Sequence, residues 1–249
     1  MHAMKNSIKL SLLASILLIT GCITPLPISQ LEPQREDSRW DSGREYLSQT
    51  ENSVTVTLSY YRNEDNILVF DVVVDNQSGN EFEAHSGQWT ITSQKFNKDT
   101  IDILAPEDPE AILLEFDKVE SIQKARIAND QVTNVILATA DLAATIADEA
   151  NPNVSRAEAN ARFNNRMIWS KDRQVDLDRQ SAYLNEIQNT RQYWEEAPLR
   201  RTTLGSKEYI SGRLFFEREM TAKFYSIRAV IPEIGTFTFD FEQWLIPAR

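Results

Sequence analysis

The 249-residue chain has one cysteine, two histidines and seven glycines, and each scarcity excludes something. With Cys22 alone no disulfide forms within the chain, so its stability must come from packing. The histidines are His2 and His85, and structural or catalytic zinc needs three or four nitrogen or sulfur ligands. A nucleophilic triad would need a serine and a carboxylate converging on one of them, yet no G-x-S-x-G frames any serine. His85, in EFEAHSG, therefore reads as a solvated loop histidine, and no catalytic residue, metal or cofactor is assigned. No glycine falls between Gly87 and Gly205, and no glycine-rich loop precedes a helix to cradle a phosphate. Positive charge is short as well: 26 Lys and Arg against 37 Asp and Glu give −11, a surface that repels nucleic acid.

Long apolar runs are absent except one. LSLLASILLIT, Leu10 to Thr20, follows Lys5 and Lys9 with no acidic residue nearby. As a helix its eleven residues span about 16 Å against a hydrocarbon core of about 30 Å, too short to cross but suited to a secretory leader. The run ends in Ile19-Thr20-Gly21-Cys22, which resembles the lipobox of bacterial lipoprotein precursors, with isoleucine where leucine is usual. The resemblance implies a leader over 1–21 and a mature chain beginning at an acylated Cys22, its membrane anchor. A cell-envelope location follows, and Ile23 in place of aspartate favours the outer membrane in a Gram-negative source. Loss of Lys5 and Lys9 with the leader takes the net charge from −11 to −13.

Residues 22–52 contain Pro25, Pro27 and Pro33 without clear periodicity, and read as a flexible tether. Strand patterning begins at 53. In SVTVTLSYY, Val54, Val56, Leu58 and Tyr60 share one face; in ILVFDVVVDN, Leu68, Phe70, Val72 and Val74 do. The stretch DNQSGNEFE between strands lacks the alternating acids of a calcium loop and reads as a hairpin turn. Alternation returns over 200–249, in YISGRLFFE, KFYSIRAVI and GTFTFDFEQW, with Phe237, Phe239 and Phe241 on one side. Trp89, Trp194 and Trp244 all fall on faces assigned to the core.

Between these blocks, residues 110–199 change period. VTNVILATADLAATIADEA carries Val132, Val135, Ile136, Thr139, Leu142 and Ile146 at helical spacing. Ser155-Arg156-Ala157-Glu158 has capping-box spacing, and a third helix is expected from about Asp172 to Glu196. The chain thus reads as mainly β: strands over 53–109 and 200–249 of one antiparallel β-sandwich, interrupted by a three-helix insertion. ILVFDVVVDNQSG, followed later by RTTLGSKEYISGRLFF, resembles the extracellular immunoglobulin-like domains of bacterial lipoproteins, which implies that fold and carries over no catalytic residues.

A sandwich closes without such an insertion, so its helices either cover a sheet or serve a partner. The stripe Leu177, Leu184, Ile187 and Trp194 is the candidate contact for an envelope protein or for self-association. The expected function is therefore a non-enzymatic binding or assembly module. Two alternatives stand beside it: a carboxylate-based hydrolase of envelope or extracellular glycans, which needs only two acids at a set separation, and a carrier of an apolar ligand between sheet and helices.

Overall fold

The computed structural model describes residues 27–35 and 37–246. The leader and Cys22 lie outside the described residues. Two five-stranded antiparallel sheets run in the orders β1-β12-β11-β7-β8 and β10-β5-β4-β3-β2. The first contains β1 (Ile28–Pro33), β7 (Trp89–Gln94), β8 (Thr100–Leu104), β11 (Phe224–Ile231) and β12 (Gly235–Ile246). The second contains β2 (Arg39–Asp41), β3 (Arg44–Glu51), β4 (Val54–Glu64), β5 (Ile67–Asn76) and β10 (Glu208–Glu217). A short ribbon pairs β6 (Phe82–Ala84) with β9 (Thr202–Leu204). Two helices, α1 (Pro109–Ala150) and α2 (Arg156–Glu196), stand between β8 and β9.

One core joins the two sheets. Phe70 of β5 meets Phe216 of β10 at 6.0 Å and, across the interior, Phe241 of β12 at 5.5 Å between ring centroids. The alternating residues of β4, β5, β11 and β12 all enter it. The early and late blocks also pair directly, β5 against β10 from Ile67↔Glu217 to Asn76↔Glu208. Tight turns set the registers of the second sheet. Asn52 and Ser53 both have positive φ, as a two-residue turn of the mirror type requires between right-twisted strands.

Four expectations are corrected. Residues 28–51 are not a tether: β1 pairs with β12, and β2 and β3 extend the second sheet beyond β4. These are outer strands with little to bury, β3 contributing only Leu47 and β1 only Ser29 and Leu31, so their alternation is nearly silent. The insertion has two helices, not three, because nothing between Ser155 and Pro198 breaks the backbone; neither Gly nor Pro occurs there. The fold is accordingly mixed α/β rather than mainly β, helix and strand each taking about 39% of the described residues. Trp244 is exposed, while Trp89 is buried.

Candidate functional site: the helical hairpin

The hairpin leaves one sheet at its edge strand β8 and re-enters the other at its edge strand β10. Asp108 caps α1, its carboxylate accepting from Glu110 N at 3.0 Å ahead of Pro109, a residue suited to a first helical position. Ser155 caps α2 as its spacing predicts, accepting from Glu158 N at 3.2 Å. Helices of 42 and 41 residues are each about 62 Å long at 1.5 Å per residue, far longer than their footing on the sheets.

That footing is compact. Phe215 lies on the outer side of β10, opposite Val69 of β5, and both are buried although their neighbours Phe216 and Phe70 fill the core. Trp194 stacks on Phe215 at 4.6 Å and Tyr193 meets its edge at 6.2 Å. Glu107 N donates to Phe215 O, and the chain leaving α2 is laid along β10 by Leu199 N to Arg213 O and Arg213 N to Ala197 O. Beside this foot Arg44, Arg62 and Arg213 surround the Tyr61 ring at 4.2–4.9 Å, and Asp71 holds Arg44 and Arg213 at 2.5 and 3.0 Å. Arg200 clasps Glu110 with two bonds of 2.8 and 2.7 Å, and this pairing holds the Glu110 carboxyl below its ordinary range.

Above the foot the helices run antiparallel, and their least exposed residues recur at three- and four-residue steps, a coiled-coil seam. Near the sheets the seam is mainly apolar, through Leu113, Phe116 and Ile127 on α1 and Leu184 and Ile187 on α2, with Gln123 buried among them and donating to Gln180 O at 3.3 Å. Further out it turns polar. Asp130 accepts from Gln180 Nε2 at 2.7 Å, Asp141 pairs with Arg173 at 2.9 Å, and Asp148 takes both Arg162 and Arg166 at 2.9 Å. The hydrogen bond from Arg166, then that from Arg162, holds the Asp148 carboxyl below its usual range. Even so, Arg166 Nε and Nη2 and Gln180 Oε1 are buried there without partners.

Apart from Leu137 and Leu177, which line the groove between the helices, the large apolar residues of this outer half face away from the seam. Val132, Val135, Ile136, Leu142 and Ile146 are each 60–67% exposed. At 100° per residue they centre roughly 140° from the line through Ile127, Asp130, Asn134 and Asp141. Thr139 belongs with them, because its hydroxyl is spent on Val135 O at 2.9 Å and leaves its methyl outward. Met167, Ile168 and Trp169 are similarly exposed at the corresponding level of α2. The outer half of the hairpin is thus polar inside and apolar outside.

The expected stripe of Leu177, Leu184, Ile187 and Trp194 sits elsewhere. Ile187 is buried in the seam, Leu184 and Leu177 are half-buried along it, and Trp194 is stacked on the sheet. Leu177 also lines an open groove of about 470 Å³ between the helices, with Asp130, Leu137 and Arg173. These four residues hold the chain to itself. The outward stripe on α1 shows the same helical spacing in the sequence; the clue that it faces outward is the polarity of the alternative register, with Asp130, Asn134, Asp141 and Asp148.

Other chemistry is sparse. His85 lines an open groove with Ser86, Asp108, Glu110 and Arg201, and no serine or carboxylate is hydrogen-bonded to its ring among the described residues. An apolar groove of about 480 Å³ at the hairpin base is lined by Ile112, Phe116, Val119, Tyr183 and Ile187. Among the described residues no three His, Cys, Asp or Glu side chains gather as a metal site, and no helix is long and apolar enough to cross a membrane. Comparison of this chain with protein-family models, with curated proteins and with solved structures returns no match.

Proposed function

We propose that the protein is a lipid-anchored, non-enzymatic assembly module of the cell envelope, held by acyl chains on Cys22 and working through its helical hairpin. The observation that carries this reading is the inverted outer half of the hairpin, apolar on its free faces and polar along its seam. A surface helix normally turns its apolar stripe to its own core, and exposed apolar patches of this size mark interaction sites. The lipobox-like Ile19-Thr20-Gly21-Cys22 supports the anchor, and a diacylated or triacylated cysteine binds a bilayer stably where one chain would not. The two sheets, read as an immunoglobulin-like sandwich, are the platform. Six residue steps from Cys22 to Ile28 reach at most about 21 Å, so the anchor keeps that platform close to the bilayer.

Fatty-acid labelling of cells expressing the wild type and Cys22→Ser tests the anchor, and a photo-crosslinking residue at Val135 tests the hairpin. Labelling should vanish in Cys22→Ser, and crosslinks should form from Val135 but not from a sheet position such as Thr57. Label retained by Cys22→Ser, or a hairpin that captures no macromolecule, overturns the corresponding half of the reading.

A further inference from the structure

The outer stripe of α1 repeats with its own three-four spacing, Val132, Val135, Thr139, Leu142 and Ile146, a second coiled-coil seam opposite the first. The spacing by itself suits any one-sided contact, with a helix or with a lipid surface. Lipid contact would call for Lys or Arg beside the stripe, and none occurs from Ile127 to Ala150.

What flanks the stripe narrows the partner. Asn129, Gln131, Thr133, Ala138, Ala140, Ala143 and Ala147 are all uncharged. The two acids between Ala128 and Ala147, Asp130 and Asp141, point into the seam and are taken by Gln180 and Arg173. In a chain of net charge −11 this is a face on which two copies meet without like charges opposed. The alanines let two backbones approach closely. The stripe with its small neighbours offers on the order of 600 Å² per copy, the lower end of what a specific interface buries.

Resting on the hairpin as the working part of the protein, we infer that α1 is the contact surface for a second copy of this chain. The α1 stripes of two copies pack against each other about a two-fold axis as an α1–α1′ coiled coil, with each α2 on the far side of its own α1. Each copy uses the same surface, so the contact closes at two.

Charge exchange tests this on the full chain carrying Cys22→Ser. Sedimentation should give twice the 28.5 kDa chain mass for that parent. The double variants Val135→Glu/Leu142→Glu and Val135→Lys/Leu142→Lys should each sediment as one copy, and a mixture of the two should recover the dimer. The stripe is exposed in the single chain, so both variants keep the β core, verified by tryptophan fluorescence and thermal unfolding. A parent that is monomeric, association that survives either variant, or monomeric variants that do not pair on mixing overturns the inference. Stripe-dependent binding of the parent to vesicles of phosphatidylethanolamine and phosphatidylglycerol, in place of dimerisation, also overturns it. The broader reading fails separately: a monomer whose Val135 photo-crosslinks to another envelope protein refutes self-pairing and keeps the assembly role, whereas a hairpin without any crosslink removes both.

Discussion

Gly212 lies where the chain leaving α2 crosses β10, and replacing it with alanine should release the foot of the hairpin. A Cβ there would stand 2.6 Å from the backbone N and Cα of Leu199 and 2.9 Å from Pro198 C. These are backbone atoms, fixed by the bonds from Leu199 N to Arg213 O at 2.9 Å and from Arg213 N to Ala197 O at 2.8 Å, so they cannot swing aside. Overpacking costs about 1–3 kcal/mol, and each backbone bond lost adds about 1 kcal/mol. The reduced entropy of the unfolded chain returns about 0.4–1 kcal/mol, leaving a net loss of roughly 2–4 kcal/mol. For a domain of this size that lowers Tm by about 4–16 °C. Circular dichroism melts give the Tm, and hydrogen exchange over 193–200 shows whether the foot opens. Gly79→Ala is the matched control, since nothing lies within 4 Å of its added Cβ, and its Tm should stay within about 1–2 °C of wild type. Equal effects at both positions would refute the close-approach argument.

Phe215→Ser should loosen the hairpin while sparing the core, because the ring faces Trp194 and Tyr193 rather than the sheet interior; faster exchange in the last turns of α2 than in β11 is expected, and uniform change would count against it. Burial pushes the Tyr60 phenol up to about 12, although the Arg218 charge pulls the other way. The unfolded phenol ionises first, near 10, so stability from Tyr60 is complete below pH 10 and is lost as pH rises from there through 12. A Tyr60→Phe chain should lose less stability over that interval, and identical slopes would refute the assignment.

How much was legible depended on how much each segment buries. The phenylalanines of β12 and the valines of β4 and β5 announce their strands because alternate residues enter one core. Ser155 announces a helix start because the cap is a local device. β1 to β3 left little trace, since outer strands with one or two buried residues need little alternation. Val69 and Phe215 break the alternation of their strands, and the break makes sense only once Trp194 and Tyr193 are seen above them.

The hairpin draws the boundary most sharply. Helical period, caps and the unbroken run without glycine are properties of the chain itself, because backbone hydrogen bonds reach only four residues. Which stripe of α1 turns inward is not such a property. Two seams with the same spacing lie on opposite sides of one helix, and periodicity ranks neither. Only α2 folding back, with Arg173 and Arg166 at the level of Asp141 and Asp148, assigns the polar side to the interior and leaves Val135 and Leu142 facing out. Ion pairs between segments far apart in sequence decide that orientation, and they exist only once the tertiary structure has brought the segments together.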